Sequence, residues 1–128
     1  MKLVLFVCVE NSCRSQMAEA FGNVYGQEKI KAYSCGSAPS GIVNPMAIES
    51  MREVDYDLSV HDSKGFDRIP DMEYDLLVTM GCGDRCPGIS ATERQDWEIP
   101  DPKHMNTDDF AKIRDLICEK VKALIEHV

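Results

Sequence analysis

Cys8, Arg14 and Ser15 stand in the stretch VLFVCVENSCRSQMAE, Val4 to Glu19, and their types and spacing suit chemistry on an anion. An apolar run delivers Cys8 into the short polar segment Val9 to Cys13, and a helix is expected to open at Arg14. Backbone N–H groups of Val9, Glu10, Asn11, Ser12 and Cys13 would then converge with the positive end of the helix dipole. Arg14 adds a planar fork of donors matched to a tetrahedral oxyanion. Ser15 can donate a hydrogen bond to the sulfur, and the whole setting favours thiolate over thiol at Cys8. Together these residues describe an anion cradle with a nucleophile at its floor. Asp101 is the second candidate: Pro100 and Pro102 restrict its backbone and would hold a carboxyl group over the cradle as a general acid. Asp-Pro is also a common turn dipeptide, so a plain turn aspartate is the other reading. Cys82 and Cys86 are two further thiols that can attack a Cys8 adduct by thiol exchange. Zinc binding is the alternative use for that pair, but no second Cys or His pair stands at suitable spacing, and only His104 is near.

These groups need a scaffold, and 128 residues with 44% hydrophobic content suffice for a single domain over 1–128 with a proper core. The 14 basic against 22 acidic residues give a net charge of −8, which argues against nonspecific binding to nucleic acid or to an anionic membrane. An acidic chain must bind an anion through local groups. Leu3 to Val9 is apolar, but Glu10 and Asn11 follow where the small residues of a cleavage site belong, so it is expected to be a buried strand and not a signal core. No run approaches the ~18 apolar residues of a membrane span. Six cysteines beside a full hydrophobic core point to thiols in a reducing, cytoplasmic setting. Cys35 and Cys118 are read as packing thiols.

The elements that must position the chemistry follow from the hydrophobic pattern. Lys2 to Cys8 predicts a strand buried on both faces. Arg14 to Tyr25 predicts a helix with Met17, Ala20, Phe21 and Val24 on one stripe. A second strand is expected over Lys31 to Cys35, then a helix from Asn44-Pro45 to about Val54. Asp55 to Pro70 reads as loop with a short helix, and Tyr74 to Met80 as a third strand. Gly81 to Pro100 reads as a long irregular segment closing in a short fourth strand over Asp96 to Ile99. The last helix is expected from a cap at Thr107 or Asp108 to about His127. Strands alternating with helices define an α/β fold, a three-layer arrangement with about four parallel strands flanked by helices. The carboxyl ends of the strands then gather the Cys8 loop, Gly81 to Cys86 and Asp101.

The spacing Cys8-x5-Arg14-Ser15, directly after a strand and opening a helix, resembles the loop of cysteine-based phosphatases. Asn11, Ser12, Arg14 and Ser15 make it similar to the low-molecular-weight tyrosine phosphatase branch. Over nearly its whole length the chain resembles the thioredoxin-coupled arsenate reductases of that branch. The matching stretches are CVENSCRSQMAE at Cys8 to Glu19, YSCG at Tyr33 to Gly36, VNPMAIESM at Val43 to Met51, LLVTMGCGDRCP at Leu76 to Pro87 and DWEIPDP at Asp96 to Pro102. The resemblance implies that Cys8 attacks arsenate, that Asp101 protonates the leaving oxygen, that Cys82 attacks Cys8 as arsenite departs, and that Cys86 closes a Cys82–Cys86 disulfide. Phosphate and sulfate are expected as analogues, and thioredoxin or a low-molecular-weight thiol such as mycothiol as reductant. No cofactor and no metal are expected.

Two departures from the family pattern bear on this. The redox pair is separated by only three residues and Gly81 precedes it. Some members hold potassium near the loop; Asn11, Glu19 and Ser34 match three of its ligands, but Lys64 stands where an aspartate is the fourth, so an ammonium is expected to replace the ion. The loop and Asp101 would equally serve a tyrosine phosphatase hydrolysing phosphomonoesters. That branch usually places aromatic residues after Asp-Pro, whereas this chain has Lys103 and His104. A noncatalytic oxyanion sensor is the third reading; it would need neither nucleophile nor acid.

Overall fold

KLVLFV, Lys2–Val7, forms the first strand, β1, in the computed structural model, which describes residues 1–81 and 89–128. Its last four residues are buried. It sits between β2 (Ile30–Cys35) and β3 (Tyr74–Thr79), and β4 (Ala91–Asp96) pairs with β3 on the outside, giving the order β2-β1-β3-β4 with every pairing parallel. Central strands of a parallel sheet are covered on both faces, which is why Leu3 to Val7 of β1 and Leu76 to Val78 of β3 are apolar.

Side chains alternate across the sheet. Val4 and Phe6 face α1 (Arg14–Tyr25), α2 (Pro45–Arg52) and α3 (Thr107–Glu126), whose Met17, Phe21, Met51, Phe110, Ile117 and Val121 join them in the larger core. Full burial of side chains such as Phe6, Met17 or Phe110 contributes about 1.5–3 kcal/mol each before entropy is counted. Leu5 and Val7 face the other way, into a smaller cluster with Cys35, Tyr74 and Leu77 that Ile69 and Met72 cover. Among the described residues the layers are therefore unequal: α1, α2 and α3 on one side, and chiefly the segment around Ile69 to Met72 on the other.

Helix ends follow the local chemistry. Asn44 Oδ1 accepts from Met46 N at 2.8 Å with Pro45 in the first turn of α2. That helix stops at Arg52, two residues before the expected end, because Val54 and Asp55 turn back on Met51 and Arg52, and Asp55 takes a positive φ of 64°. Asp55 to Pro70 holds two 3-10 turns, Leu58–Val60 and Phe66–Arg68, where one short helix was expected. Asn106, and not Thr107 or Asp108, caps α3, accepting from Asp109 N at 2.8 Å.

The fourth strand departs most from expectation. It is Ala91–Asp96, ATERQD, and not Asp96 to Ile99. An edge strand exposed over most of its length carries no apolar alternation to betray it. The apolar residues that suggested a strand, Trp97 and Ile99, lie just beyond it and fill the main core.

Candidate active site

At the carboxyl end of β1 the chain turns through Cys8 to Cys13 and enters α1. Cys13 is the N-cap of that helix but makes no side-chain cap bond, and the first turn carries no acidic residue. Its positive end is thus left for another partner.

The four carbonyls from Val9 to Ser12 are tied to groups outside the loop. Val9 O accepts from Ala38 N at 2.9 Å, Glu10 O from Ser63 Oγ at 2.9 Å and Ser40 N at 3.1 Å, Asn11 O from Gln16 Nε2 at 3.1 Å, and Ser12 O from Asn44 N at 3.0 Å. In a trans peptide the carbonyl and the next N–H point in opposite directions. The N–H groups of Glu10, Asn11, Ser12 and Cys13 are therefore turned inward, the arrangement of an anion nest. Gly36 permits this: a Cβ there would stand 2.4 Å from Val9 O and 2.6 Å from Cys8 O.

Asn11 holds the turn together at φ 50°, a conformation asparagine tolerates better than most residues. Its Nδ2 donates to Ser15 Oγ at 2.9 Å and Ser34 Oγ at 3.0 Å, while Oδ1 accepts from Lys64 N and Gln16 Nε2, both at 2.8 Å. The side chain is thus committed to the scaffold and does not line the cavity. Ser15 Oγ, already accepting from Asn11, has its proton available for Cys8 Sγ, 2.8 Å away.

Cys8 lies at the floor of a cavity of about 240 Å³ lined, among the described residues, by Cys8, Val9, Glu10, Ser12, Cys13, Arg14, Asp101 and Lys103. A larger groove of about 550 Å³ runs between β4 and the end of α3, past Gln95, Trp97 and Lys120. It holds neither Cys8 nor Asp101, so the chemistry belongs to the smaller cavity. Arg14 enters that cavity with one nitrogen already engaged: Nη1 donates to Met80 O at 2.8 Å and Ile99 O at 3.0 Å. Nη2 lies 3.8 Å from Asp101 Oδ2. The arginine is therefore an anchor for the ends of two chain segments as well as a cavity wall. Asp101 is half-exposed and its Oδ1 accepts from Lys103 N at 3.1 Å, an Asx turn that fixes the carboxyl group at the cavity mouth. Burial pushes the Cys13 thiol up to about 11, leaving it protonated beside Cys8 at neutral pH.

Beneath the loop, the buried Gln16 and Ser34 and the partly buried Glu19, Tyr56, His61 and Lys64 form a polar cluster. Ser34 Oγ donates to Glu19 Oε1 at 2.9 Å, and Lys64 Nζ lies 3.7 Å from the same oxygen. The oxygen of Asn11 and the carboxylate of Glu19 thus have donors and an ammonium where a potassium ion would need them, and the residues do not fit that ion. His61 Nδ1 faces Gln16 Oε1 at 2.9 Å and Glu19 Oε2 at 3.1 Å, while Tyr56 Oη lies 2.6 Å from Nε2. A neutral ring protonated at Nδ1 satisfies all three contacts. Burial lowers the His61 pKa, against the pull of Glu19 and with the help of Lys64.

Of the residues expected at the site, Cys8, Val9, Glu10, Ser12, Cys13, Arg14 and Asp101 are brought round one cavity and Ser15 lies against its floor. Cys82 and Cys86 lie outside the described residues. Gln16, His61 and Lys103 were not expected. A glutamine beside the helix start is a weak signal, whereas Lys103 shows its place only once Glu10 is seen opposite it: its Nζ contacts both carboxylate oxygens, at 2.8 and 3.1 Å.

A cysteine beside an anion nest, at the carboxyl edge of a parallel sheet and faced by an arginine and an aspartate, defines a cysteine-based oxyanion-processing protein of the phosphatase type. The family model described as low molecular weight phosphotyrosine protein phosphatase matches residues 3–128, and the chain belongs to that family. It is 38% identical to a glutaredoxin arsenate reductase of Synechocystis sp. over 100% of this chain and 99% of the relative. It is 39% identical to arsenate reductase 2 of Staphylococcus saprophyticus, over 98% of each. A solved arsenate reductase in the phosphate binding state superposes with a TM-score of 0.90 at 37% identity, covering 100% of this chain and 99% of that one.

Proposed function

We propose that residues 1–128 form one arsenate reductase domain that converts arsenate to arsenite in the reducing cytoplasm and is reset by an external thiol. The observation that carries this is Cys8 Sγ, 2.8 Å from the Ser15 hydroxyl, on the floor of the cavity that Arg14 and Asp101 wall. The full-length similarity to proteins named arsenate reductase supports the choice of oxyanion. Among the described residues Cys8, Cys13 and Cys118 are free thiols, and no helix is long and apolar enough to cross a membrane.

In the proposed sequence, arsenate enters the nest of N–H groups from Glu10 to Cys13. The Cys8 thiolate attacks arsenic, forming an S–As bond, and an oxygen leaves as water after taking a proton from Asp101. Cys82 thiolate then attacks Cys8 Sγ. An S–S bond forms, the S–As electron pair passes to arsenic, and arsenic(V) departs as arsenite. Cys86 attacks Cys82, returning Cys8 as thiolate and leaving a Cys82–Cys86 disulfide. A reductant supplies two electrons and two protons to that disulfide. Thioredoxin and a low-molecular-weight thiol are the candidate reductants, and the relative named for glutaredoxin adds glutathione-linked reduction to them.

Phosphomonoester hydrolysis is the second reading, favoured by the same cavity and the family to which the chain belongs. One comparison separates the two. Unmutated protein, Cys82→Ser and Cys86→Ser are each given arsenate with NADPH and either thioredoxin plus its reductase or glutathione plus glutaredoxin and glutathione reductase. Arsenate-dependent NADPH oxidation in the unmutated protein, lost in both variants, is expected. Turnover of p-nitrophenyl phosphate with no arsenate reduction under any thiol donor would overturn the reductase reading.

A further inference from the structure

The mouth of the cavity carries a feature that the proposed chemistry does not use. Glu10 belongs to the loop and Lys103 to the turn that holds Asp101, 93 residues later, and the lysine Nζ spans the gap to both oxygens of the glutamate at 2.8 and 3.1 Å. Both ends are anchored. Glu10 O is fixed by Ser63 Oγ and Ser40 N, and Lys103 N is fixed by Asp101 Oδ1. The two side chains line the cavity together with the catalytic candidates.

Their position matters because of where a leaving group must go. An oxygen leaving toward a proton on Asp101 has to face that carboxyl group. With a free oxyanion the departing oxygen carries only a proton. With a phosphomonoester it carries the organic group, which must extend beyond Asp101, into the space that the Lys103 arm crosses on its way to Glu10.

We infer that Glu10 and Lys103 form a specificity-determining pair that admits free tetrahedral oxyanions and obstructs phosphomonoesters. The inference rests on the arsenate reading only for the identity of the natural oxyanion; the obstruction itself concerns the cavity. Lys103 also neutralises Glu10, whose lone carboxylate would repel an entering anion. Removing the lysine alone therefore opens the mouth and charges it negatively, whereas removing both residues only opens it.

The test compares unmutated protein with Lys103→Ala, the double variant Glu10→Ala/Lys103→Ala, and the swap Glu10→Lys/Lys103→Glu. Two quantities are measured for each: kcat/KM for p-nitrophenyl phosphate, and the affinity with which inorganic phosphate protects Cys8 from iodoacetamide. Exposed ion pairs are weak barriers, so the expected gain is modest: the ratio of ester turnover to phosphate affinity rises about fivefold in the double variant and returns toward the starting value in the swap. Lys103→Ala is expected to weaken phosphate protection, most at low ionic strength. An unchanged or lower ratio in the double variant overturns the inference. Failure of phosphate to protect Cys8 in the unmutated protein removes the oxyanion cavity and the filter with it. A raised ratio in a protein that reduces no arsenate supports the filter while the reductase reading falls.

Discussion

Replacing Ser15 by alanine removes one hydroxyl and asks how far the reactivity of Cys8 depends on it. The Ser15 oxygen lies 2.9 Å from Asn11 Nδ2, which can only donate, and 2.8 Å from Cys8 Sγ, so its own proton is directed at the sulfur. A hydrogen bond to a charged group contributes about 1.5–3 kcal/mol, so its loss can lower the reactivity of Cys8 by at most roughly 13- to 160-fold. A more basic thiolate is also a better nucleophile, and a Brønsted slope of about 0.45 returns nearly half of that loss on the logarithmic scale. The net expectation is a fall of roughly fourfold to sixteenfold in the second-order rate of Cys8 alkylation by iodoacetamide. Ser15→Thr, which keeps the hydroxyl, should lose much less if its methyl group is accommodated. Circular dichroism and urea unfolding verify that each variant remains folded. A folded Ser15→Ala protein alkylated at the unmutated rate, or faster, would refute the idea that this hydroxyl stabilises the thiolate.

Three further outcomes are expected. Because Cys13 titrates near 11, only roughly one part in a thousand is thiolate at pH 8, so peptide mapping after brief iodoacetamide treatment should find Cys8 labelled and Cys13 spared. Burial holds the His61 pKa below its unfolded value of 6.5, so the unfolded chain binds more protons between the two values; stability should be complete above about pH 7 and fall as pH drops through 6.5 toward the folded value. Urea midpoints should show that fall, and His61→Gln should flatten it. With Lys64 Nζ 3.7 Å from Glu19 Oε1, arsenate turnover should show no saturable activation by potassium over sodium at fixed ionic strength; a large one would mean that the ammonium yields its place.

The legible parts of this molecule are contiguous in the chain. β1, its loop and the start of α1 declare themselves because strand, cysteine, arginine and helix follow within a few turns, and local spacing is what a sequence displays. Asp101 was visible through its flanking prolines. β4 was misplaced because its hydrogen bonds to β3, in the register Thr79 to Asp96, hold it without any buried face of its own. The Glu10–Lys103 pair was invisible for another reason: two ordinary surface charges become a bridge only when β1 and the turn after Ile99 meet at one end of the sheet. His61 was hidden likewise, since its partners Gln16, Glu19 and Tyr56 come from separate segments.

The outward-tied carbonyls of the Cys8 loop also bear on how the protein comes to be assembled. Apart from Gln16 in α1, their donors, Ala38, Ser40, Asn44 and Ser63, all come from chain made after α1. A nascent chain that has just released β1 and α1 therefore carries Cys8 in a loop with no completed nest to receive an anion, until roughly forty further residues, through Ser63, have docked. Oxyanion affinity is then a property of the native state alone, and arsenate or phosphate should act on folding as a ligand that raises the melting temperature in proportion to the logarithm of its concentration once the site saturates.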